Sequence, residues 1–205
     1  MKTKSEARRE AILQAAAASF QEHGFDGASM EDIAARTPCS KVTIYAYFAS
    51  KETLFYEAIV QALDGQFHVL YEILEDSEAD VVQVLTTFGE QFITLVLTEE
   101  VRALRRLVMT AQGAGAADLQ RKCFDAGPQV AIAVCANYFR RVQERGVLLV
   151  QDTRLACMQL RALLEAEWLD SLFYNQTCRP SKKRIRQSAE RAVSAFLAIQ
   201  RERRM

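Results

Sequence analysis

The stretch SMEDIAARTPCSKVTIYAYFASKETL, Ser29 to Leu54, holds two short apolar periods separated by a turn. Ser29 stands where a helix needs an acceptor for its first free amides. Asp32 follows as a carboxylate version of the capping box, and Met30, Ile33 and Ala34 supply a short buried face. Pro38 disfavours helical geometry at Thr37, so this helix ends near Arg36 or Thr37. Ser40 caps a second short helix through Ala46 or Phe48, with Ile44 and Phe48 inward and Lys41, Thr43 and Tyr47 outward. Two short helices across a tight turn make a helix-turn-helix.

Working outward, Ile12, Ala16 and Phe20, flanked by Leu13 and Ala17, predict a preceding helix over Ser5 to His23. Gly24 is its stop, with Phe25 folding back onto the last turn. Ser50 caps a fourth helix from Lys51 to about Leu74, in which Leu54, Phe55, Ile59, Leu63, Phe67, Leu70 and Leu74 keep a helical period interrupted only by Gly65. Further helices are expected at Val81 to Leu97, Glu99 to Gln112, Ala116 to Arg145 with a break near Gly127 and Pro128, Thr153 to Tyr174 with Asp152 as its N-cap, and Ser181 to Arg203. Eight Gly and three Pro in 205 residues leave few turns, and no segment alternates as a strand does, so the fold class is all-α with about nine helices. The expected division is a DNA-binding domain over residues 1–50 and a ligand-binding and dimerisation domain over residues 51–205.

Composition excludes several classes. The five Cys, at 39, 123, 135, 157 and 178, form no CxxC pair, and His23 and His68 have no companions at ligand spacing, so neither a metal nor a cofactor is expected. Cys39 reads as a small buried hydrophobe of the turn. No nucleophile elbow, HExxH or P-loop occurs, and the GAG at 113–115 follows a helix rather than a strand, which argues against an enzyme. No apolar leader or bilayer-length segment appears, so the expected location is the cytoplasm, with no membrane partner. Net charge is zero: residues 1–60 carry seven basic and eight acidic side chains, and residues 179–205 carry nine and two. Polyanion affinity comes from neutralised phosphates, so any DNA contact must come from a few well-placed groups. The basic tail, with Lys182, Lys183, Arg184, Arg186, Arg201, Arg203 and Arg204, also contains Ile185, Ala189, Ala192, Val193, Phe196 and Ile199. It therefore reads as an amphipathic helix rather than a second nucleic-acid surface.

In residue order as well as helix length, Ile33 and Ala34, then Ser40 to Phe48, then Ser50 to Glu52, resemble the TetR/AcrR helix-turn-helix. The resemblance is specific over about the first 55 residues, and the stretch from Arg102 to Arg145 looks like the AefR-like ligand-binding halves of that family. In such a motif the second helix enters the major groove, so Lys41 and Val42, on the turn that Ser40 caps, are base-reading candidates. The resemblance implies phosphate contacts from Thr43, Tyr47 and Lys51, with Ser29 and Lys51 at helix N-termini, while Tyr45 touches bases or backbone. Two positions depart from the family habit: Val42 replaces Gly and Ala46 replaces a polar or basic residue.

The same resemblance implies a homodimer on a near-palindromic double-stranded operator, and a repressor rather than an activator. Leu155, Met158, Ala162, Ala166, Leu169 and Phe173 of the penultimate helix, with Ala189, Val193 and Phe196 of the last, are the expected dimer interface. An unidentified small-molecule ligand is expected between the fourth and eighth helices, with Phe67, Tyr71, Phe88, Phe92, Met109, Tyr138 and Trp168 as wall candidates. Glu165 and Glu167 suit a cationic ligand, although Arg161 stands four residues before Glu165 as an ordinary helical partner. The competing reading is a helical adaptor that keeps the fold without binding DNA.

Because the second short helix contains no Arg, readout is expected to rest on thymine methyl contacts and DNA shape rather than on bidentate pairing with guanine. Val42→Gly should therefore change the base preference in a selection from random duplexes. An unchanged consensus would remove the methyl-contact idea.

Overall fold

The computed structural model describes residues 4–75, 79–112, 116–174 and 179–202, and those residues are helical and strand-free. The helices are α1 (Lys4–Gly27), α2 (Met30–Ala35), α3 (Lys41–Tyr47), α4 (Lys51–Glu72), α5 (Val81–Val96), α6 (Glu99–Thr110), α7 (Ala116–Phe124), α8 (Val130–Glu144), α9 (Thr153–Ala166), α10 (Leu169–Phe173) and α11 (Lys182–Glu202). The expected caps are present. Ser29 Oγ accepts from the Asp32 amide at 3.0 Å, Ser40 Oγ from Thr43 at 3.1 Å, Ser50 Oγ from Thr53 at 3.2 Å and Asp152 Oδ1 from Leu155 at 2.9 Å. Asp80 caps α5 in the same way, through the Gln83 amide at 3.0 Å.

Two breaks raise the helix number above the expected nine. Asp125–Gln129, which contains Gly127 and Pro128, winds as a π-helical turn between α7 and α8. Proline cannot donate into the ladder, and the wider turn absorbs the lost bond without ending the helical path. The helix expected over Thr153 to Tyr174 instead breaks after Ala166, with Trp168 buried between α9 and α10.

The chain divides into two compact units, Met1–Gly65 with Glu99–Cys123, and Gln66–Thr98 with Phe124–Met205. The first unit therefore holds the start of α4 together with α6 and α7, beyond the division expected after residue 50. Its core starts at the α1 turn. Gly24 takes φ +70° and ψ 179°, a backbone conformation that suits glycine, and kinks α1 there, so that Phe25 meets Phe20 and Phe55. Phe20 and Phe55 meet edge to face at 4.8 Å between ring centroids, and Ile12, Leu13, Ile33, Ile44, Phe48 and Leu54 are buried. Tyr56 Oη donates to the Lys122 carbonyl at 3.1 Å, tying α4 to α7.

In the second unit α11 packs along α5, and α9 lies against α8 and α11. Phe139 of α8 stacks on Phe196 of α11 at 5.3 Å. Trp168 is enclosed, donates through Nε1 to Ser188 Oγ at 3.1 Å and receives the Arg184 guanidinium over its ring. Arg141 Nη2 donates to the Leu74 carbonyl at 2.5 Å, satisfying an acceptor just past the end of α4. The basic segment is amphipathic as expected, with Ile185, Ala189, Ala192, Val193 and Phe196 buried; Arg203 and Arg204 lie outside the described residues.

Gly89 sets the closeness of α5 to its neighbours. A Cβ at this position would lie 2.7 Å from Leu164 Cδ2 and 3.1 Å from Ala189 Cβ. Gly89→Val should overpack this junction and cost about 1–3 kcal/mol, as overpacked cores do. Urea unfolding checks it: a lower midpoint at unchanged slope is expected, and an unaltered midpoint would show that α5 and α11 are not tightly held.

Candidate nucleic-acid interface and ligand cavity

On the first unit, α3 turns Ile44 and the following Phe48 fully inward, so the opposite face is set by helical geometry. That face carries Lys41, Val42, Tyr45 and Ala46, one turn apart in two pairs, with Val42 80% exposed and Tyr45 45% exposed. Thr43 and Tyr47 flank it and are half-buried. Tyr47 Oη lies 3.1 Å from Ser5 Oγ of α1, and Ser40 Oγ lies 2.9 Å from Thr43 Oγ1, so the helix start and both flanks are held by local bonds. Ser29 both accepts from the Asp32 amide and donates to the Asp32 carboxylate at 2.6 Å, closing the start of α2 on itself.

Four basic groups, Lys41, Lys51, Arg36 and Arg9, are engaged within the unit. Lys41 pairs with Glu31, whose carboxyl is held below its ordinary range by that hydrogen bond, while the Lys41 ammonium is correspondingly raised. The Lys41 ammonium also lies 6.0 Å from the Tyr45 ring centroid. Lys51 donates from Nζ to the Ala28 carbonyl at 2.8 Å and sits over the Phe25 ring at 4.5 Å. Its ammonium is thereby placed beside Ser29 at the start of α2. Arg36 is bound to both oxygens of Glu22, and Arg9 is bound to Glu57.

The second unit contains a small cavity of about 30 Å³ lined by Phe88 and Phe92 of α5, Ala131, Ile132 and Cys135 of α8, and Cys157, Leu160, Arg161 and Leu164 of α9. Of the expected wall residues it gathers Phe88 and Phe92. Tyr138 and Trp168 are packed in the core instead. Burial pushes the Tyr138 hydroxyl up to about 12, and that oxygen has no hydrogen-bond partner among the described residues. Phe67 and Tyr71 stack on each other at 6.3 Å, half-buried and away from this cavity. Met109 is 65% exposed in the first unit, because Leu107 turns inward and two residues further round α6 is the opposite face.

The aliphatic and cysteine walls escaped the sequence because such positions read as ordinary core. Their facing across three helices is not encoded in any one period. Arg161 had a usable signal, a charge set among apolar neighbours. Its Nε donates to Glu165 Oε1 at 3.2 Å, and Glu167 is bound by both donors of Arg191, so both carboxylates suggested for a cationic ligand are engaged. No group of three or more potential metal ligands occurs among the described residues.

Leu155, Met158, Ala162, Ala166 and Leu169 form an exposed apolar stripe on α9 and the start of α10. Ala189, Val193 and Phe196 are a correction: all three are buried inside the protomer against α5 and α9 and offer no surface to a partner. Sequence period identifies a buried face without saying which chain buries it. The Phe173 side chain lies outside the described residues, as do Cys178 and the GAG at 113–115.

A short capped helix presented on a three-helix head defines a helix-turn-helix protein. The profile of bacterial regulatory proteins of the tetR family matches residues 12–58, and that of the C-terminal domain of AefR-like transcriptional repressors matches residues 83–200. The chain belongs to the TetR family of transcriptional regulators. It is 30% identical to a TetR-family regulator from Mesorhizobium loti whose crystal structure superposes with a TM-score of 0.83, covering 97% of this chain and 98% of that one. The flavonoid-responsive regulator FrrA is 27% identical, with a TM-score of 0.66, over 94% of this chain and 96% of its own. The transcriptional regulator RutR of Escherichia coli K12 is 41% identical over 70 residues, so the match spans 34% of this chain and 33% of that relative.

On non-specific duplex DNA, which offers Lys41 no cognate base, a Lys41 freed from its Glu31 ion pair would be available to a phosphate, so Glu31→Gln should tighten binding there. It should also steepen the log affinity against log salt slope by up to about 0.9, the increment for one added phosphate contact. Fluorescence anisotropy at several salt concentrations measures both; an unchanged slope would place Lys41 away from the phosphates.

Proposed function

We propose that this chain is a dimeric, cytoplasmic repressor that binds a near-palindromic operator through α3 and leaves it when a small molecule occupies the second unit. The observation that carries the reading is the outer face of α3: Val42, Tyr45 and Ala46 are exposed although apolar or aromatic, on a helix whose other side is fully buried. A solvated surface helix has no need of that composition, whereas a groove reader uses methyl and ring contacts to thymine. Thr43, Tyr47 and Lys51 are the phosphate-directed groups, Ser29 and Ser40 stand at the helix starts that meet DNA, Lys41 and Val42 lead into the bases, and Tyr45 follows them one turn on.

Dimerisation is supported by the α9 stripe, which lies unpartnered within one protomer. Pairing two copies through it would present two α3 helices to half-sites about 34–36 Å apart, or a multiple of that spacing. FrrA, a flavonoid-responsive regulator, supports ligand control in a related chain. Coupling then requires only that the ligand prefer the conformer that fits DNA less well.

Selection of bound duplexes from a random library by the purified protein, at two salt concentrations, tests the reading. The expected result is a two-fold symmetric consensus whose affinity falls steeply with salt, lost in the double variant Tyr47→Ala, Lys51→Ala. No enrichment at low salt would overturn it in favour of a helical adaptor.

A further inference from the structure

The cavity of the second unit has an almost wholly apolar lining, and the partly exposed Arg161 at its edge is the lining residue that carries a charge. Phe88, Phe92, Ile132, Leu160 and Leu164 make the walls, and Arg161 is the charged lining residue. We infer that this cavity is a binding site for small monocarboxylates, whose apolar chain or ring enters between α5, α8 and α9 while the carboxylate is received by the Nη edge of Arg161. The inference rests on the reading of this unit as ligand-sensing and specifies the ligand class.

Arg161 has five N–H donors, and only Nε is taken, by Glu165 Oε1 at 3.2 Å. The donors on Nη1 and Nη2 have no protein partner among the described residues. A guanidinium held at one nitrogen by a carboxylate, with its parallel Nη edge open, matches a second carboxylate in bidentate geometry. An amine ligand is disfavoured by the same arrangement. Glu165 is about nine-tenths buried and its Oε1 is already bonded to Arg161, so an amine there would bury a second cation beside the guanidinium. A carboxylate adds to the arginine without breaking that pair. The partial exposure of Arg161 keeps the head of the ligand near water, which lowers the cost of burying its charge.

The cavity volume of about 30 Å³ admits roughly one water, so an organic acid must part α8 from its neighbours on entry. The π-helical turn Asp125–Gln129 interrupts the regular ladder immediately before α8, whose first turn supplies Ala131 and Ile132 to the wall. A ligand that fits only the opened arrangement stabilises that arrangement by its differential affinity, which is the requirement for a sensor.

Calorimetric titration of the full-length chain with octanoate, decanoate and 3-phenylpropionate, each beside its primary amide and the amine of matching length, tests the assignment. At least one acid should bind, at least about tenfold more tightly than its amide, the factor a charge-assisted hydrogen bond supplies. Arg161→Met should abolish the acid preference. Arg161→Lys, which keeps the charge and loses the fork, should retain only part of it, and Ile132→Trp should fill the cavity and remove acid and amide binding together. Circular dichroism verifies that each variant is folded. Amides or amines binding as tightly as acids, an acid preference that survives in Arg161→Met, or no binding by any probe to protein that still selects an operator would each overturn the assignment. Acid binding by protein that selects no operator would leave the cavity assigned and remove the regulator reading.

Discussion

A helix of seven residues has no stability of its own, because nucleating it fixes several backbone dihedrals for few hydrogen bonds. The α3 helix persists because Ile44 and the adjoining Phe48 are completely buried and Ser40 satisfies its first amides. Everything the first unit offers to a partner depends on that anchoring. Two inward side chains on one side of so short a helix leave Lys41, Val42, Tyr45 and Ala46 no orientation but outward. The cluster of Phe20, Phe25 and Phe55, brought together by the kink at Gly24, joins α1 to α4 within the same core.

The near-neutral head becomes intelligible in the same terms. Three of its cations, Lys41, Arg36 and Arg9, are matched by Glu31, Glu22 and Glu57 in surface ion pairs, which contribute little to stability where both partners are solvated. Such pairs do lower the non-specific attraction to phosphate, since each cation must exchange one anion for another. Under the proposed operator-binding reading, a head built this way would draw less on bulk charge and more on DNA shape and methyl contacts along α3. Lys51 is a different case. Its bond to the Ala28 carbonyl and its seat on Phe25 make it part of the packing between α4 and the α1–α2 turn as well as a local positive charge.

In the second unit, close packing does the organising. Gly89 lets α5 approach Ala189 of α11 and Leu164 of α9 more nearly than any side chain would permit. Phe139, Phe196 and Trp168 are fully buried in the same unit, with Phe139 stacked on Phe196. Cores packed to this density respond to an inserted group by shifting between arrangements rather than by yielding locally. A cavity of only one water's size, set beside a π-helical turn, is where such a shift would be paid for by ligand contacts.

The sequence by itself determined the local geometry: Ser29, Ser40, Ser50 and Asp152 as caps, Gly24 as a stop, Pro38 as the end of α2, and the inward pairing of Ile44 with Phe48. Each depends on backbone chemistry within a few residues, so a linear reading suffices. The apolar stripe of Leu155, Met158, Ala162, Ala166 and Leu169 was legible for the same reason, as a helical period. What only the tertiary structure decided was which apolar faces were already used. Ala189, Val193 and Phe196 share the period of an interface and are spent on α5 and α9, while Met109 has the chemistry of a wall and faces outward. The cavity, with Arg161 as its charged lining residue, is assembled from three helices distant in the chain. Periodicity records that a side chain is buried; only the packing of whole helices determines against what.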